Sequence, residues 1–163
     1  MFGDHARTYV AGMGNFRLEF YRDSSGRQPA REWMRSLSEP QRKAVGVALN
    51  FKLLRDGIGI CDGHGGKQLG GGLFELRVQE SAAATLKAAG VQPRAAAEPG
   101  RIMLRVFCHA HGDRVVLILG GYDKSRAPSP RRQQREIKTA RDRLGSFRAA
   151  ADKHGLQPKG YGL

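Results

Sequence analysis

Cysteines and long apolar runs are scarce in this chain, which has 163 residues and only two cysteines, Cys61 and Cys108. Two cysteines provide no disulfide framework, so their number is typical of a reducing compartment. The longest strongly apolar stretch, Val115 to Leu119, is far too short to span a bilayer. The first fourteen residues also lack the apolar run of a secretory signal. We therefore predict a soluble cytoplasmic protein.

Acidic residues are also few: 15 Asp and Glu stand against 28 Lys and Arg, which gives a net charge of +13. Aromatic residues make up only 7% of the chain, but hydrophobic residues make up 40%, enough for the core of one domain. The charge favours an anionic partner, such as nucleic acid, an anionic membrane surface or an acidic protein. From Lys124 to Lys153 there are ten basic and three acidic residues, a local net charge of +7.

Alternation of apolar and polar residues predicts strands at Asn15 to Arg22, Leu73 to Gln79 and Arg101 to His109, and an apolar run predicts a central strand from Arg114 to Tyr122. Apolar residues at helical spacing predict helices from Pro29 to about Leu37, from Glu39 to about Arg55, and from Pro130 onward. The segment Gly57 to Gly72 has eight glycines and is interpreted as a loop. This order predicts an α+β fold: a small antiparallel, or mixed, sheet with two N-terminal helices and a C-terminal helix.

The predicted organisation is a single domain over residues 15–150. A flexible extension, 1–14, precedes it, and a tail, 151–163, follows it. Residues 80–100 are rich in alanine, proline and glycine, and we interpret them as an insert between two strands.

The polar faces of two predicted strands carry the clearest signal of a site. Alternation places Arg77 and Arg105 on the open face of the sheet, and Lys67 precedes the first of these strands. Tyr122, Asp123 and Lys124 follow the apolar strand. Convergent cations bind phosphate and stabilise the charge of a phosphorane-like transition state. The alternative is that these arginines merely solvate an exposed sheet face.

A zinc site is a second interpretation of the sequence. Cys61 and His64, together with Cys108, His109 and His111, offer soft ligands. Structural zinc sites usually have tight paired knuckles, whereas here one pair lies in a glycine-rich segment and the other at a strand end. We therefore predict no metal and no other cofactor.

Three segments carry a resemblance to a known family: Lys67 to Val78 (KQLGGGLFELRV), Arg101 to Ser125 (RIMLRVFCHAHGDRVVLILGGYDKS) and Ser129 to Leu144 (SPRRQQREIKTARDRL). Over roughly residues 15 to 147, the chain resembles the phage-derived HigB-like toxins of the RelE/ParE superfamily. The resemblance implies a RelE-like fold and a type II toxin that enters the ribosomal A site and cleaves translated mRNA without a metal. It also implies a cognate antitoxin, usually of the helix-turn-helix type. No membrane partner is predicted, because the apolar face of the basic C-terminal helix is narrow and short and is expected to pack on the sheet.

The resemblance also implies roles for individual residues. Arg77 and Arg105 match the strand arginines that hold the scissile phosphate, and Lys67 and Lys124 flank the same cleft. The implied reaction is attack of a ribose 2′-OH on the adjacent phosphate, which needs a base and an acid. For these the sequence leaves four candidates open: His109, Tyr122, Asp123 and Lys124.

Basic residues of the C-terminal helix are expected to dock on ribosomal RNA, namely Arg131, Arg135, Lys138 and Arg141. Two other functions remain open at this stage. One is a gyrase inhibitor of the ParE type, and the other is a non-catalytic, phage-derived nucleic-acid-binding accessory protein. All three functions are compatible with one fold.

Overall fold

The computed structural model describes residues 16–81, 90, 101–112 and 114–153. In this part of the chain five strands form one sheet in the order β1-β5-β4-β3-β2. Strand β1 runs parallel to β5, and the other neighbours are antiparallel, so the α+β class is confirmed and the sheet is mixed. The strands are β1 (Arg17–Phe20), β2 (Gly66–Gly70), β3 (Leu73–Ser81), β4 (Arg101–His111) and β5 (Val115–Asp123).

Two helical segments follow β1, and each begins where proline is tolerated. Helix α1 (Pro29–Ser36) has its proline in the first turn, and helix α2 (Glu39–Val47) starts at a capping box. In that box the Ser38 backbone N–H donates to Gln41 Oε1 at 3.0 Å, and the Gln41 backbone N–H donates to Ser38 Oγ at 3.4 Å. The chain continues as a π-helical segment (Ala48–Leu53) and one α-turn (Leu54–Asp56).

The interpretation of Gly57 to Gly72 as a loop is wrong. Its first part forms a 3₁₀ segment (Gly57–Asp62), and its last part contains β2. Strand β2 forms because the long neighbouring strand β3 supplies its hydrogen-bond partners, which composition alone does not reveal. Glycine is also required at one strand position, since a Cβ at Gly66 would lie 2.8 Å from Ile60 Cγ1 and 2.9 Å from the Glu75 carbonyl oxygen.

The two faces of the sheet are covered differently. On one face, α1 and α2 contribute to a large apolar core that includes Leu18, Phe74, Leu76, Leu104, Val106 and Ile118. On the other face, helix α3 (Pro130–Lys153) packs Ala140 and Leu144 into a smaller cluster with Leu73, Phe107 and Leu119. Within the described residues, no helix combines the length and the apolar character that a membrane span requires.

The predicted terminal segments and insert are described only in part. Residues 1–14, and most of the segment 80–100, lie outside the described residues. Strand β3 reaches Ser81 and therefore includes the first two residues of the segment assigned to the insert. Helix α3 continues to Lys153, three residues beyond the predicted end of the domain at 150.

Candidate functional site

A polar row crosses the three central strands on the face that α3 partly covers. In the sheet register, Arg77 of β3 lies opposite Arg105 of β4, and Arg105 lies opposite Tyr122 of β5. Residues directly opposite each other on antiparallel strands project from the same face of the sheet. The structure therefore brings together three of the residues that the sequence singled out.

Glu75 belongs to the same site, although the sequence analysis did not select it. It lies two residues before Arg77 on β3, so alternation places both side chains on one face. The Arg77 Nε–H donates to Glu75 Oε1 at 3.1 Å. The Glu75 side chain is fully buried, and its second oxygen, Oε2, has no hydrogen-bond partner in the described structure.

Arg105 is held firmly within the sheet. Its side chain donates from Nη1 to the Leu104 carbonyl oxygen at 3.1 Å and from Nη2 to Gln79 Oε1 at 2.7 Å. Only 3% of the residue is exposed, and the described structure offers no partner to its Nε–H. Burial lowers the pKa of Arg105; the charge of Glu75 opposes this shift, and that of Arg77 adds to it.

Tyr122 is the residue of this row that lies on β5. Its ring stacks on Phe107 with 6.1 Å between the ring centroids, and the residue is 2% exposed. The phenol oxygen is buried and, in the described part of the chain, has no hydrogen-bond partner. Burial raises the pKa of Tyr122, and the nearby positive charge of Arg105 opposes the increase.

Two side chains in the first turns of α3 also lie near the row, and the sequence analysis did not select them. Arg132 Nε donates to Glu136 Oε1 at 2.8 Å, one helical turn apart. Charges on both residues act on the Tyr122 phenol, since Glu136 raises its pKa and Arg132 lowers it. Helical spacing gave no sign of this, because the contact depends on how α3 crosses the sheet.

The two predicted flanking lysines lie on either side of this row. Lys67 is exposed on β2, directly opposite Glu75. The Lys124 backbone N–H donates to the Met103 carbonyl oxygen at 2.8 Å and extends the ladder between β4 and β5 by one residue. Lys124 is the first residue of the turn that follows β5.

Two of the acid-base candidates lie elsewhere. His109 is four residues beyond Arg105 on β4, about 13 Å along the strand, and its Nδ1 is 2.7 Å from the Gly72 carbonyl oxygen. Asp123 is next to Tyr122 and therefore faces the opposite side of the sheet. There its Oδ2 accepts a hydrogen bond from Gln41 Nε2 at 2.8 Å, and its Oδ1 caps the turn after β5 by accepting from the Ser125 backbone N–H at 2.9 Å.

The residues considered as zinc ligands do not converge. Cys108 is buried in the core under α1 and α2, together with the partly buried Cys61. His109 and His111 alternate with Cys108 along β4 and so lie on the other face of the sheet. Among the described residues, no group of three or more His, Cys, Asp or Glu side chains is placed to hold a metal ion.

The basic residues of α3 fall into two groups. Arg131, Arg135 and Lys138 are exposed, and Lys138 pairs with Asp142 at 2.9 Å. Arg141 instead donates to the Gly70 carbonyl oxygen at 2.9 Å and to that of Leu69 at 2.5 Å, at the turn between β2 and β3. Its guanidinium therefore serves to attach α3 to this hairpin, a role that the sequence analysis did not foresee.

The site contains two arginines opposite each other on adjacent strands, a buried phenol and several buried polar atoms without partners among the described residues. Buried polar groups are normally paired, so a cluster of unpaired ones marks this region as a candidate functional site. Guanidinium groups favour phosphate because they donate parallel N–H bonds to it.

Comparison with known proteins gave no match: no family model, curated protein or solved structure matches this chain.

Proposed function

We propose that this protein is a toxin of a type II toxin-antitoxin system, with a RelE-like architecture, that cleaves mRNA on the ribosome in the cytoplasm. The observation that carries the proposal is the row of Arg77, Arg105 and Tyr122 across three adjacent strands. The sequence resemblance to HigB-like toxins also supports it. Arg77 and Arg105 of this row are also the arginines matched by the resemblance.

The chemistry that suits this row is attack of a ribose 2′-OH on the neighbouring phosphorus. The oxygen–phosphorus bond to the next nucleotide breaks, which leaves a 2′,3′-cyclic phosphate and a 5′-OH. The phosphate gains negative charge in the transition state, and Arg77 and Arg105 offset that charge. The site thus supplies its positive charge from arginines, and the reaction as proposed is independent of a metal.

The proton transfers have candidates within reach of the row. The Tyr122 side chain lies on the arginine side of the sheet, Lys124 directly follows β5, and Glu136 of α3 is close enough to Tyr122 to shift its pKa. His109 and Asp123 occupy structural positions away from Arg105 and are not assigned a role in proton transfer. A base on one side of the phosphate and an acid on the other are what this in-line displacement needs.

The proposed partners follow from charge. The exposed face of α3, with Arg131, Arg135 and Lys138, is proposed to dock on ribosomal RNA through phosphate contacts. A cognate antitoxin, of the helix-turn-helix type that the resemblance implies, is proposed to keep the protein inactive. Such a partner has to cover the arginine row or the basic face of α3.

Induction of the protein in bacteria without antitoxin, followed by sequencing of mRNA 5′ ends, tests the proposal. We expect growth arrest and cleavage at a fixed position within translated codons. Both effects should disappear in Arg105→Ala and be strongly reduced in Arg77→Ala. Arg35→Ala changes an exposed arginine of α1 on the other side of the sheet and should leave cleavage intact.

Other outcomes would replace the proposal. Intact messages together with a DNA-damage response would favour a gyrase inhibitor of the ParE type. Normal growth with intact messages would favour a nucleic-acid-binding accessory protein. Full cleavage by Arg77→Ala would mean that the site is assigned to the wrong residues.

A further inference from the structure

The carboxylate of Glu75 has no part in the proton transfers described above, yet it lies among the positive charges of the site. In the sheet it stands opposite Lys67 and two residues from Arg77 on the same face. The residue is 0% exposed, so its carboxylate has little contact with water. Burial of a charged carboxylate is costly and persists only where nearby charges compensate for it.

The two arginines create the need for such a carboxylate. Arg77 and Arg105 are directly opposite each other on adjacent strands, and like charges at that position repel. The charge of Glu75 stabilises the protonated form of Arg105, whereas the charge of Arg77 destabilises it. Without Glu75, the two guanidinium groups would have to separate or recruit another anion.

Glu75 also fixes the direction of one guanidinium. It accepts from the Nε–H of Arg77 at 3.1 Å, and within the described residues it is the only side-chain hydrogen-bond partner of Arg77. A guanidinium held at Nε keeps its two terminal nitrogens for another acceptor. A phosphate accepts two parallel N–H bonds from that part of the group.

We propose that Glu75 is a positioning residue, which holds Arg77 beside Arg105 so that both guanidinium groups act on one phosphodiester. This inference rests on the proposed ribonuclease function for its role in catalysis. The placement of Arg77 by Glu75 is a structural claim that does not depend on activity. The two parts are therefore tested separately.

The catalytic part is tested with Glu75→Gln, which keeps the shape and the hydrogen-bond acceptor but removes the charge. We expect kcat for mRNA cleavage to fall on the order of 10²-fold, because small misplacements of catalytic groups have effects of that size. Affinity for an RNA that carries 2′-O-methyl groups and cannot be cleaved should stay the same or increase, since the site becomes more positive. A binding stoichiometry equal to that of the wild type shows that the variant is folded.

A double-mutant cycle shows whether Glu75 acts through Arg77. If it does, Glu75→Gln has little further effect on kcat when Arg77 is already alanine. An equal loss in both backgrounds would overturn the inference. Glu39→Gln is the matched control, because it removes the same charge from an exposed α2 carboxylate that pairs with Lys43 at 3.9 Å.

The structural part is tested by NMR of the Arg77 Nε–H group, with no activity needed. In the wild-type protein we expect this proton to exchange slowly with water and to exchange at least tenfold faster in Glu75→Met. Fast exchange in the wild type would overturn the placement of Arg77 by Glu75 even if the protein cleaves mRNA. Slow exchange in a wild-type protein that cleaves no mRNA would instead reject the proposed function and keep the placement.

Discussion

Removal of the Tyr122 hydroxyl is predicted to stabilise the protein while it impairs the site. The ring stacks on Phe107 and the residue is 2% exposed, but its hydroxyl has no hydrogen-bond partner among the described residues. In the unfolded chain water would satisfy that hydroxyl. Tyr122→Phe keeps the ring and removes only the group whose hydration is lost on folding.

The size of the effect follows from the cost of an unpaired buried polar group, about 1–3 kcal/mol. The void left by one oxygen atom offsets roughly a few tenths of a kcal/mol, at about 24 cal/mol per Å³ of cavity. We therefore expect Tyr122→Phe to raise the free energy of unfolding by about 1 kcal/mol. For a chain of this length, that corresponds to an increase in Tm of about 2–4 °C.

Urea unfolding followed by circular dichroism measures this change, with Tyr21→Phe as the control. Tyr21 belongs to the same apolar cluster, and its hydroxyl is not among the buried atoms without a partner in the described structure. Its replacement should change stability by less than about 0.5 kcal/mol. If Tyr122→Phe lowers the midpoint, the hydroxyl has a stabilising partner, and the view of the site as preorganised for a ligand is wrong.

Three further perturbations probe the surroundings of the site. A Cβ at Gly121 would clash with the Trp33 ring, so Gly121→Ala should lower the free energy of unfolding by about 1–3 kcal/mol or more in urea melts. Burial lowers the pKa of His109 and of His111, so their neutral forms are favoured in the folded state. The free energy of unfolding should therefore be retained above the ordinary histidine pKa of 6.5 and fall as the pH drops below it. Urea midpoints measured across that pH range test this expectation. Arg141→Ala removes two hydrogen bonds to the carbonyl oxygens of the β2–β3 hairpin. Amide hydrogen exchange in the β2–β3 turn should therefore become faster, and the free energy of unfolding should fall by about 1 kcal/mol.

Each of these perturbations has a control or a contradicting result. The control is Gly145→Ala on α3, where a Cβ meets no atom within 4 Å and should stabilise the helix by up to about 1 kcal/mol. An equal loss of stability in Gly121→Ala and Gly145→Ala would mean that the Trp33 contact is unimportant. Stability that is constant or increases below the histidine pKa would contradict the buried, neutral histidines. Arg131→Ala, at an exposed position of the same helix, should leave hairpin exchange unchanged.

The strands flanking the site were predictable because each alternates over many residues. The segments starting at Leu73 and Arg101 are strands, two residues longer than predicted at their C-terminal ends. The pleat that follows from this alternation was enough to place Arg77 and Arg105 on one face. Strand β2 was not predictable in the same way, because a glycine-rich segment has no apolar pattern and takes its conformation from β3.

The groups that the sequence did not reveal depend on contacts between distant segments. Alternation did put Glu75 on the arginine face, but a carboxylate on a polar face is normally solvated. Its burial depends on how the other segments of the chain pack around β3. The effect of Glu136 on Tyr122, and the bonds of Arg141 to the hairpin, depend on how α3 crosses the sheet, which its own periodicity does not encode.

The central claim is that Arg77 and Arg105 act together on the phosphate of an mRNA held in the ribosome. The most direct measurement is cleavage of a synthetic mRNA on purified ribosomes with an occupied P site and an empty A site, followed by analysis of the product ends. We predict a 2′,3′-cyclic phosphate and a 5′-OH at one position in the A-site codon. A 2′-deoxynucleotide at that position, or Arg105→Ala, should abolish both products. An intact mRNA, or products with a 5′-phosphate, would contradict the account.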